Sequence, residues 1–298
     1  MARYSLVNMK VNYFTFSLNP LSLDFVLTLT VQEVTYFSDE GQFMSELYNT
    51  FHNHFDVVSA DTIGLMETAF RLRYQVYCVE RSFEDPAVFP EQMETDEYDM
   101  HSAHTLVRCK TSKQYTGLVR LVLPNPVDHN EPLPMEKFCQ SGIKASGIDL
   151  SSIPRGALAE VSRFSISKEV KRLCSSKPAI SVVGTESKPE CKTVDSQMMP
   201  HIALGLFAGI VRMSAQNNIT HWLSVMEPTF LRFLSRYGIY FQKTGPVVDY
   251  HGKRQPAVAS IDSVLSGIYT QRKDAWEIIT DFGNVWPLSK NAKHFVMS

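Results

Sequence analysis

Four carboxylates lie within the six residues 94–99 (ETDEYD), directly before a run that favours a β-strand. Charged side chains also interrupt two apolar runs: Arg120 in LVRLVL, and Glu160 with Arg163 in ALAEVSRFSIS. A charge on a buried strand is costly unless it is paired, so Arg120 and Arg163 are expected to contact carboxylates. The acids available to pair with them are Glu94, Asp96, Asp99 and Glu160.

Such a set of charges is suited to acyl transfer to an amine. A carboxylate can take the proton from an ammonium group, directly or through water. Backbone N–H groups can hold the developing oxyanion, and an arginine can grip the carboxylate of an amino-acid-like substrate. A solvated acidic loop with scattered ion pairs is the alternative interpretation of the same residues.

The hydrophobic pattern predicts which elements carry these side chains. A helix is expected to begin near Asp61, because apolar residues recur at helical spacing from Ile63 to Tyr77 around Arg73. A loop over 80–103 contains two prolines, and 104–109 with 118–123 form a hairpin. Further strands are expected at 157–167 (with a bulge or kink), 219–225, 239–243 and 257–261, and helices at 202–216 and 228–237. This order predicts an α/β or α+β layered fold.

Composition excludes several classes of protein. The chain has 298 residues and a net charge of −2, without the basic excess of a nucleic-acid-binding protein. No run reaches the roughly 18 apolar residues of a membrane span, and the N-terminus lacks a signal-peptide pattern. Five cysteines without metal-ligand spacing predict neither a disulfide framework nor a metal site. We therefore expect a cytoplasmic protein. No G-x-G-x-x-G or P-loop motif indicates a nucleotide.

The charged motifs follow one another in an order that resembles a known group of enzymes. Arg73 in LRYQVYCVE precedes FEDPAVFPEQMETDEYDMHSAH, TGLVRLVLP and AEVSRFSIS. The chain is similar in this respect to PEP-CTERM/exosortase-associated acyltransferases, relatives of the LuxI-type acyl-homoserine-lactone synthases and of N-acyl amino acid synthases. The resemblance spans about residues 60–290. It implies a GNAT-like fold with a central mixed sheet, splayed where an acyl-pantetheine arm enters.

The resemblance also implies roles for the charged residues. Carried over position by position, the essential set of the autoinducer synthases falls on Arg73, Glu94, Asp96, Asp99, Arg120, Glu160 and Arg163. Glu94 or Glu160 is the candidate base, and the sequence does not rank them. Asp96 and Asp99 would position the amine or tie the loop to the arginines, and Arg163 would close the cleft. The candidate substrate-binding residues are Arg73, Arg120, Arg163, Ser162, Tyr77 and His104.

The expected reaction needs an acyl donor but no permanently bound cofactor. Residues 196–206 (SQMMPHIALGL) lack the Gly-rich loop that binds the coenzyme A diphosphate, which favours acyl carrier protein over coenzyme A. The acceptor would be a small-molecule amine. An autoinducer synthase that uses S-adenosylmethionine and a non-catalytic acyl-binding module stay open as alternatives. Residues 1–38 are expected to be an atypical extension, and 39–298 one GNAT-like domain with a mobile insertion at 171–200.

Overall fold

The fold is known from a computed structural model that describes residues 36–37, 43–145, 150–168, 194–249 and 252–289. Almost all of the predicted extension at 1–38, and positions 171–193 of the predicted insertion, therefore lie outside the described residues. The described helices are α1 (Glu46–His54), α2 (Ile63–Tyr74), α3 (Pro134–Ala145), α4 (Val194–Gln216), α5 (Pro228–Ser235), α6 (Ile261–Gln271) and α7 (Lys273–Thr280). A π-helical turn, Gln75–Glu80, extends α2.

A twisted, mostly antiparallel sheet forms the centre of the fold. The described strands are β1 (Tyr36–Phe37), β2 (Phe43–Met44), β3 (Phe55–Ser59), β4 (Ser102–Cys109), β5 (Tyr115–Val122), β6 (Leu158–Ile166), β7 (His221–Met226), β8 (Gln242–Lys243), β9 (Val248–Asp249) and β10 (Lys253–Ser260). The main sheet has the order β3-β4-β5-β6-β7-β10-β8, with β9 paired to β10, while β1 and β2 pair separately. Within the main sheet, β6 and β7 are parallel and the other described pairs are antiparallel.

Helices cover both faces of this sheet, as the alternating side chains of its strands require. On one face, α4 packs with α1, α6 and α7 over Val119, Ala159 and Trp222. On the other face, α2 packs over Leu106 and Leu118, while α3 packs over strands β6, β7 and β10. The approach of α4 is close, because a Cβ added at Gly209 would lie 2.2 Å from the Thr105 side chain.

Two irregularities in β6 shape the functional region. Opposite the stretch of β5 from Leu118 to Arg120, strand β6 carries one extra residue. Arg163 lies in this part of β6 and has a φ of +52°. This is a β-bulge, which turns side chains out of strict alternation. Pairing of β6 with β7 ends at Glu160 opposite Leu223, so the two strands diverge beyond that point. The divergence leaves a cleft between β6 and β7.

The structure confirms the predicted mixed α/β fold and most of its elements. The hairpin β4–β5, the bulged strand β6 and helix α5 lie where the pattern predicts them. Two predictions were wrong in extent. Helix α4 begins at Val194, inside the segment predicted as a mobile insertion, and the strand predicted at 239–243 is reduced to Gln242–Lys243. Gly238 ends the α5 region with a φ of +78°, in contact with the Gly267 carbonyl, which shortens that strand.

Candidate active site

Three arginines and three acids form one ion-pair network beneath α2. Arg73 donates Nε and Nη2 to the two carboxylate oxygens of Glu94 at 2.5 and 2.9 Å. Arg163 binds the same two oxygens through Nε and Nη2 at 3.1 and 2.8 Å. Arg120 Nη1 bridges Asp96 and Asp99 at 2.5 and 2.8 Å. The three positive charges are balanced by three negative ones, as burial requires.

The network is assembled from four separate elements. Arg73 sits at the end of α2 with none of its surface exposed, and Arg120 is buried on β5. Asp96 caps the 3-10 turn Glu97–His101, where Asp99 completes a capping box, so the loop acids are fixed by their own backbone. The bulge in β6 brings Arg163 to the face that also carries Arg120.

Electrostatics separate the two candidate bases. Burial alone raises the pKa of Glu94, but the hydrogen bonds from Arg73 and Arg163 outweigh it and hold that pKa at about 2. Burial also raises the pKa of Asp99, but the effects of His104, Arg73 and Arg120 are larger and hold that pKa well below its usual range. Both acids are therefore held ionised and fully engaged.

Glu160 has the opposite character. Its carboxyl is buried and accepts one hydrogen bond, from the Met135 N–H at 2.6 Å, and forms no ion pair with a residue that the structure describes. Burial raises its pKa to about 7, although the Met135 N–H and the charge of Arg120 act in the other direction. Glu160 is thus a carboxyl that can exchange a proton near neutral pH.

A cavity of about 360 Å³ opens between β6 and β7 where the strands diverge. Glu160, Asp96, Arg120, Ser162 and Arg163 line its polar end, so these sequence-predicted residues meet there. Tyr77 also lines the cavity, with its ring centre 6.1 Å from that of Phe83. Ser162 accepts a hydrogen bond from Arg120 Nε at 2.9 Å. The guanidinium of Arg163 lies 5.0 Å from the centre of the Tyr77 ring, and burial raises the pKa of the Tyr77 hydroxyl.

The remaining sequence-predicted residues lie behind the cavity wall. Arg73, Glu94 and Asp99 contact the lining residues rather than the cavity itself. His104 is buried on β4, with Nε2 3.3 Å from Asp99 and its ring at right angles to Phe70. Burial lowers the pKa of His104, which favours the neutral imidazole. The sequence predicts His104 in the substrate-binding set; the structure places it behind the cavity wall beside Asp99, with neither ring nitrogen hydrogen-bonded to a described residue.

One part of the cavity wall is aromatic. Phe164, Phe207 and Phe230 follow one another with ring centres 5.4 and 5.2 Å apart, and Trp222 is buried beside them. These side chains also pack on the main core. Sequence reasoning missed Arg81, Phe83 and Arg254 at the other end of the cavity, because no motif connects the π-helical turn with β10.

Neither metal chemistry nor a membrane span is indicated by the described residues. No group of three or more His, Cys, Asp or Glu side chains within them could hold a metal ion. Cys78, Cys109 and Cys139 are buried. Of the described helices, none is long and apolar enough to cross a membrane.

Comparison with known proteins gives one family match and several similar structures. Residues 72–176 match the family described as acetyltransferase (GNAT) domain. The AHL synthase LasI is similar in structure, with 20% identity, 73% of this chain and 96% of that chain covered, and a TM-score of 0.49. The CoA-dependent acyl-homoserine lactone synthase MesI has 17% identity, coverages of 76% and 93%, and a TM-score of 0.47. FeeM, an N-acyl amino acid synthase from uncultured soil microbes, has 15% identity, coverages of 73% and 96%, and a TM-score of 0.43.

No curated protein matches the chain in sequence. The domain match covers the end of α2, the acidic loop, the hairpin and β6, which together carry every residue of the ion-pair network. The chain is an acyltransferase enzyme with a GNAT-type fold.

Proposed function

We propose that the enzyme is an N-acyltransferase that moves a fatty acyl group from a thioester to the amine of an amino acid or related metabolite, with Glu160 as the base. The observation that carries the proposal is the Glu160 carboxyl, buried at the polar end of the cavity with a pKa of about 7. A base of that pKa is half ionised near neutral pH and can still accept a proton.

Glu94 is excluded as the base by its surroundings. Each of its two oxygens accepts a hydrogen bond from Arg73 and another from Arg163, and its pKa of about 2 makes it a poor proton acceptor. We assign Glu94 to positioning instead. It joins α2 to the bulge of β6, and so holds the acidic loop against the cavity.

The reaction then follows from the lining residues. Asp96 faces the cavity and holds the acceptor ammonium, while Glu160 removes its proton, directly or through water. The amine nitrogen attacks the thioester carbonyl, the C–N bond forms, and the C–S bond breaks. The departing thiolate takes up a proton, so that the products are an amide and a free thiol.

The bulge supplies donors for the developing negative charge. Arg163 and Phe164 have no register partner on either neighbouring strand. We propose that their backbone N–H groups donate to the carbonyl oxygen as it becomes an oxyanion. Beyond this point, the acyl chain packs against the aromatic wall formed by Phe164, Phe207 and Phe230.

The donor in this proposal is an acyl carrier protein, with coenzyme A as the alternative. The sequence feature that favours the carrier is the missing Gly-rich loop at 196–206. Arg232, Arg236 and Lys243 are exposed on α5 and β8, where a basic surface would meet an acidic carrier. We also propose a cytoplasmic location, and kinship with the PEP-CTERM/exosortase-associated acyltransferases on the ordered charged motifs.

The test is mass spectrometry of lipid extracts from a bacterial host that expresses the chain. Wild type and Glu91→Gln, which alters an exposed acid before the acidic loop, should both produce a new N-acyl amino acid. Glu160→Gln should not produce it, since an amide cannot accept the proton. Full yield from soluble Glu160→Gln would remove Glu160 from the mechanism.

The identity of the product also discriminates between reactions. An acyl lactone whose formation depends on S-adenosylmethionine would move the protein to the autoinducer synthases. With purified enzyme, kcat/KM should rise with pH and reach half its maximum near pH 7, falling about tenfold per unit below it. A profile that is flat between pH 5 and 8 would contradict a base with that pKa.

A further inference from the structure

A second charged site lies at the opposite end of the cavity from Glu160. Arg81 follows the π-helical turn, Arg254 lies near the start of β10, and both flank Phe83. Their guanidinium carbons are 5.9 and 5.7 Å from the centre of the Phe83 ring. All three side chains line the same cavity as the catalytic candidates. We refer to Arg81, Phe83 and Arg254 as the mouth cluster.

The mouth cluster has donors to spare for an anion. Arg254 Nη1 contacts Glu227 at 3.1 Å and the Lys253 carbonyl at 3.3 Å, which leaves its Nε and Nη2 groups without a hydrogen bond to any described residue. The Arg81 guanidinium forms no ion pair within the described part of the chain. Glu84 and Glu227 line the cavity beside the two guanidiniums, so what the mouth cluster offers a ligand is its unpaired N–H donors and not an excess of charge. Such a fork of N–H donors is suited to phosphate.

The sheet register gives the distance between the two ends. Glu160 lies opposite Leu223 on β7, and further along β7 Met226 lies opposite Gln255 on β10. The next residue after Met226 is Glu227, which forms an ion pair with Arg254, the residue before Gln255. Four residues of strand separate Leu223 from Glu227, which is about 13 Å along the sheet at about 3.3 Å per residue. The backbone positions of Glu160 and of the Arg254–Glu227 pair are therefore about 13 Å apart along the sheet.

This separation excludes the α-carboxylate of an acceptor amino acid. Amine and carboxylate carbon are two bonds apart in an α-amino acid, about 2.5 Å at backbone geometry. A pantetheine arm, in contrast, has about thirteen bonds between its sulfur and its phosphorus, and spans about 15 Å when extended at about 1.2 Å per bond. A thioester placed at Glu160 would thus bring the phosphate of the arm to the mouth cluster.

We propose that Arg81 and Arg254, held on either side of Phe83, bind the phosphate of the 4′-phosphopantetheine arm of the acyl donor. This inference rests on the proposed function, because it requires a pantetheine thioester in the cleft. It also explains how a chain without the Gly-rich loop recognises the phosphate. The binding groups are the side chains of Arg81, directly after the π-helical turn, and of Arg254 on β10, in place of backbone N–H groups at the start of a helix.

Calorimetric titration of the whole protein with two small thioesters tests the assignment. Decanoyl-4′-phosphopantetheine should bind at least tenfold more tightly than decanoyl-pantetheine at low salt, because a charge-assisted hydrogen bond contributes about one order of magnitude or more. Arg254→Gln and Arg81→Gln should each remove most of that preference while leaving decanoyl-pantetheine binding unchanged. The matched control is Lys253→Gln, an exposed cation one residue from Arg254, which should behave as wild type.

Each other result has a definite meaning. Equal binding of the two thioesters by wild type would overturn the phosphate site and leave the acyltransferase proposal standing. Binding of neither would overturn both. Decanoyl-coenzyme A and decanoyl-carrier protein share the phosphate, so the two variants should weaken both donors alike. A loss confined to decanoyl-coenzyme A would place the adenylate diphosphate at these arginines, and a changed acceptor KM with unchanged donor binding would assign them to the acceptor; either would refute the inference.

Discussion

Replacement of Glu160 by glutamine should abolish activity and raise the free energy of unfolding at neutral pH. The folded protein holds Glu160 with a pKa of about 7, against an ordinary value of 4.5. A group whose pKa is raised by folding binds its proton more tightly in the folded state. The stability that it contributes is therefore present below pH 4.5 and is lost as the pH rises to 7.

The size of this effect follows from the shift. About 2.5 pKa units at about 1.4 kcal/mol each amount to about 3 kcal/mol of unfolding free energy. Glutamine does not titrate, so Glu160→Gln avoids that loss. Relative to wild type, the variant should gain about 3 kcal/mol between pH 4.5 and pH 8. Any constant cost of fitting the amide cancels in this difference.

Urea unfolding, followed by the fluorescence of the buried Trp222, measures the difference directly. Wild type and Glu160→Gln are compared at pH 4.5, 6 and 8, with Glu91→Gln as the matched control on an exposed acid. The gap between Glu160→Gln and wild type should widen in favour of the variant as the pH rises. A gap that stays constant within about 1 kcal/mol would show that Glu160 is already ionised at low pH, and would refute the reasoning.

Further substitutions test the contacts that hold the fold together, with urea unfolding as the measurement. Glu94→Gln leaves the buried guanidiniums of Arg73 and Arg163 without their shared negative charge, and should lower the free energy of unfolding by about 3–5 kcal/mol at pH 7. The stability that Glu94 contributes is present above pH 4.5 and is lost as the pH falls toward 2. A loss under about 1 kcal/mol would contradict the buried pair. Gly209→Ala forces a methyl into Thr105 and should cost about 1–3 kcal/mol, whereas Gly64→Ala, in open space on α2, should stabilise by about 0.5–1 kcal/mol. Equal effects of the two glycine replacements would refute the close packing of α4.

The ion-pair network explains why so many charges surround a single titrating carboxyl. Three arginines and three acids neutralise one another, so the network can be buried beneath α2 without a net charge. Arg120 belongs to this network and also lies beside the cavity, where its charge keeps the pKa of Glu160 from rising further. The network therefore holds the acidic loop in place and, through Arg120, acts on the pKa of Glu160.

Local sequence patterns determined much of the fold. Alternation and turn residues predicted the hairpin of β4 and β5, and the break in period two predicted an irregular β6. The pattern did not predict β3 or helices α6 and α7, because short amphipathic segments owe their conformation to packing on the core. The Lys-, Ser- and Pro-rich composition of 171–200 predicts a loop, yet α4 begins at Val194 and contains Pro200.

By itself, the sequence determined which residues had to meet. Isolated arginines on apolar strands require carboxylates, and the acids of 94–99 supply them. Only the tertiary structure decided which carboxyl keeps a proton. Glu94 and Glu160 are the same side chain, but two guanidiniums enclose one while apolar surroundings and a single N–H enclose the other. The mouth cluster was also invisible in the sequence, because Phe83 and Arg254 become neighbours only through the order of strands in the sheet. A pKa and a distant contact depend on what surrounds a residue in space, and local sequence does not encode that.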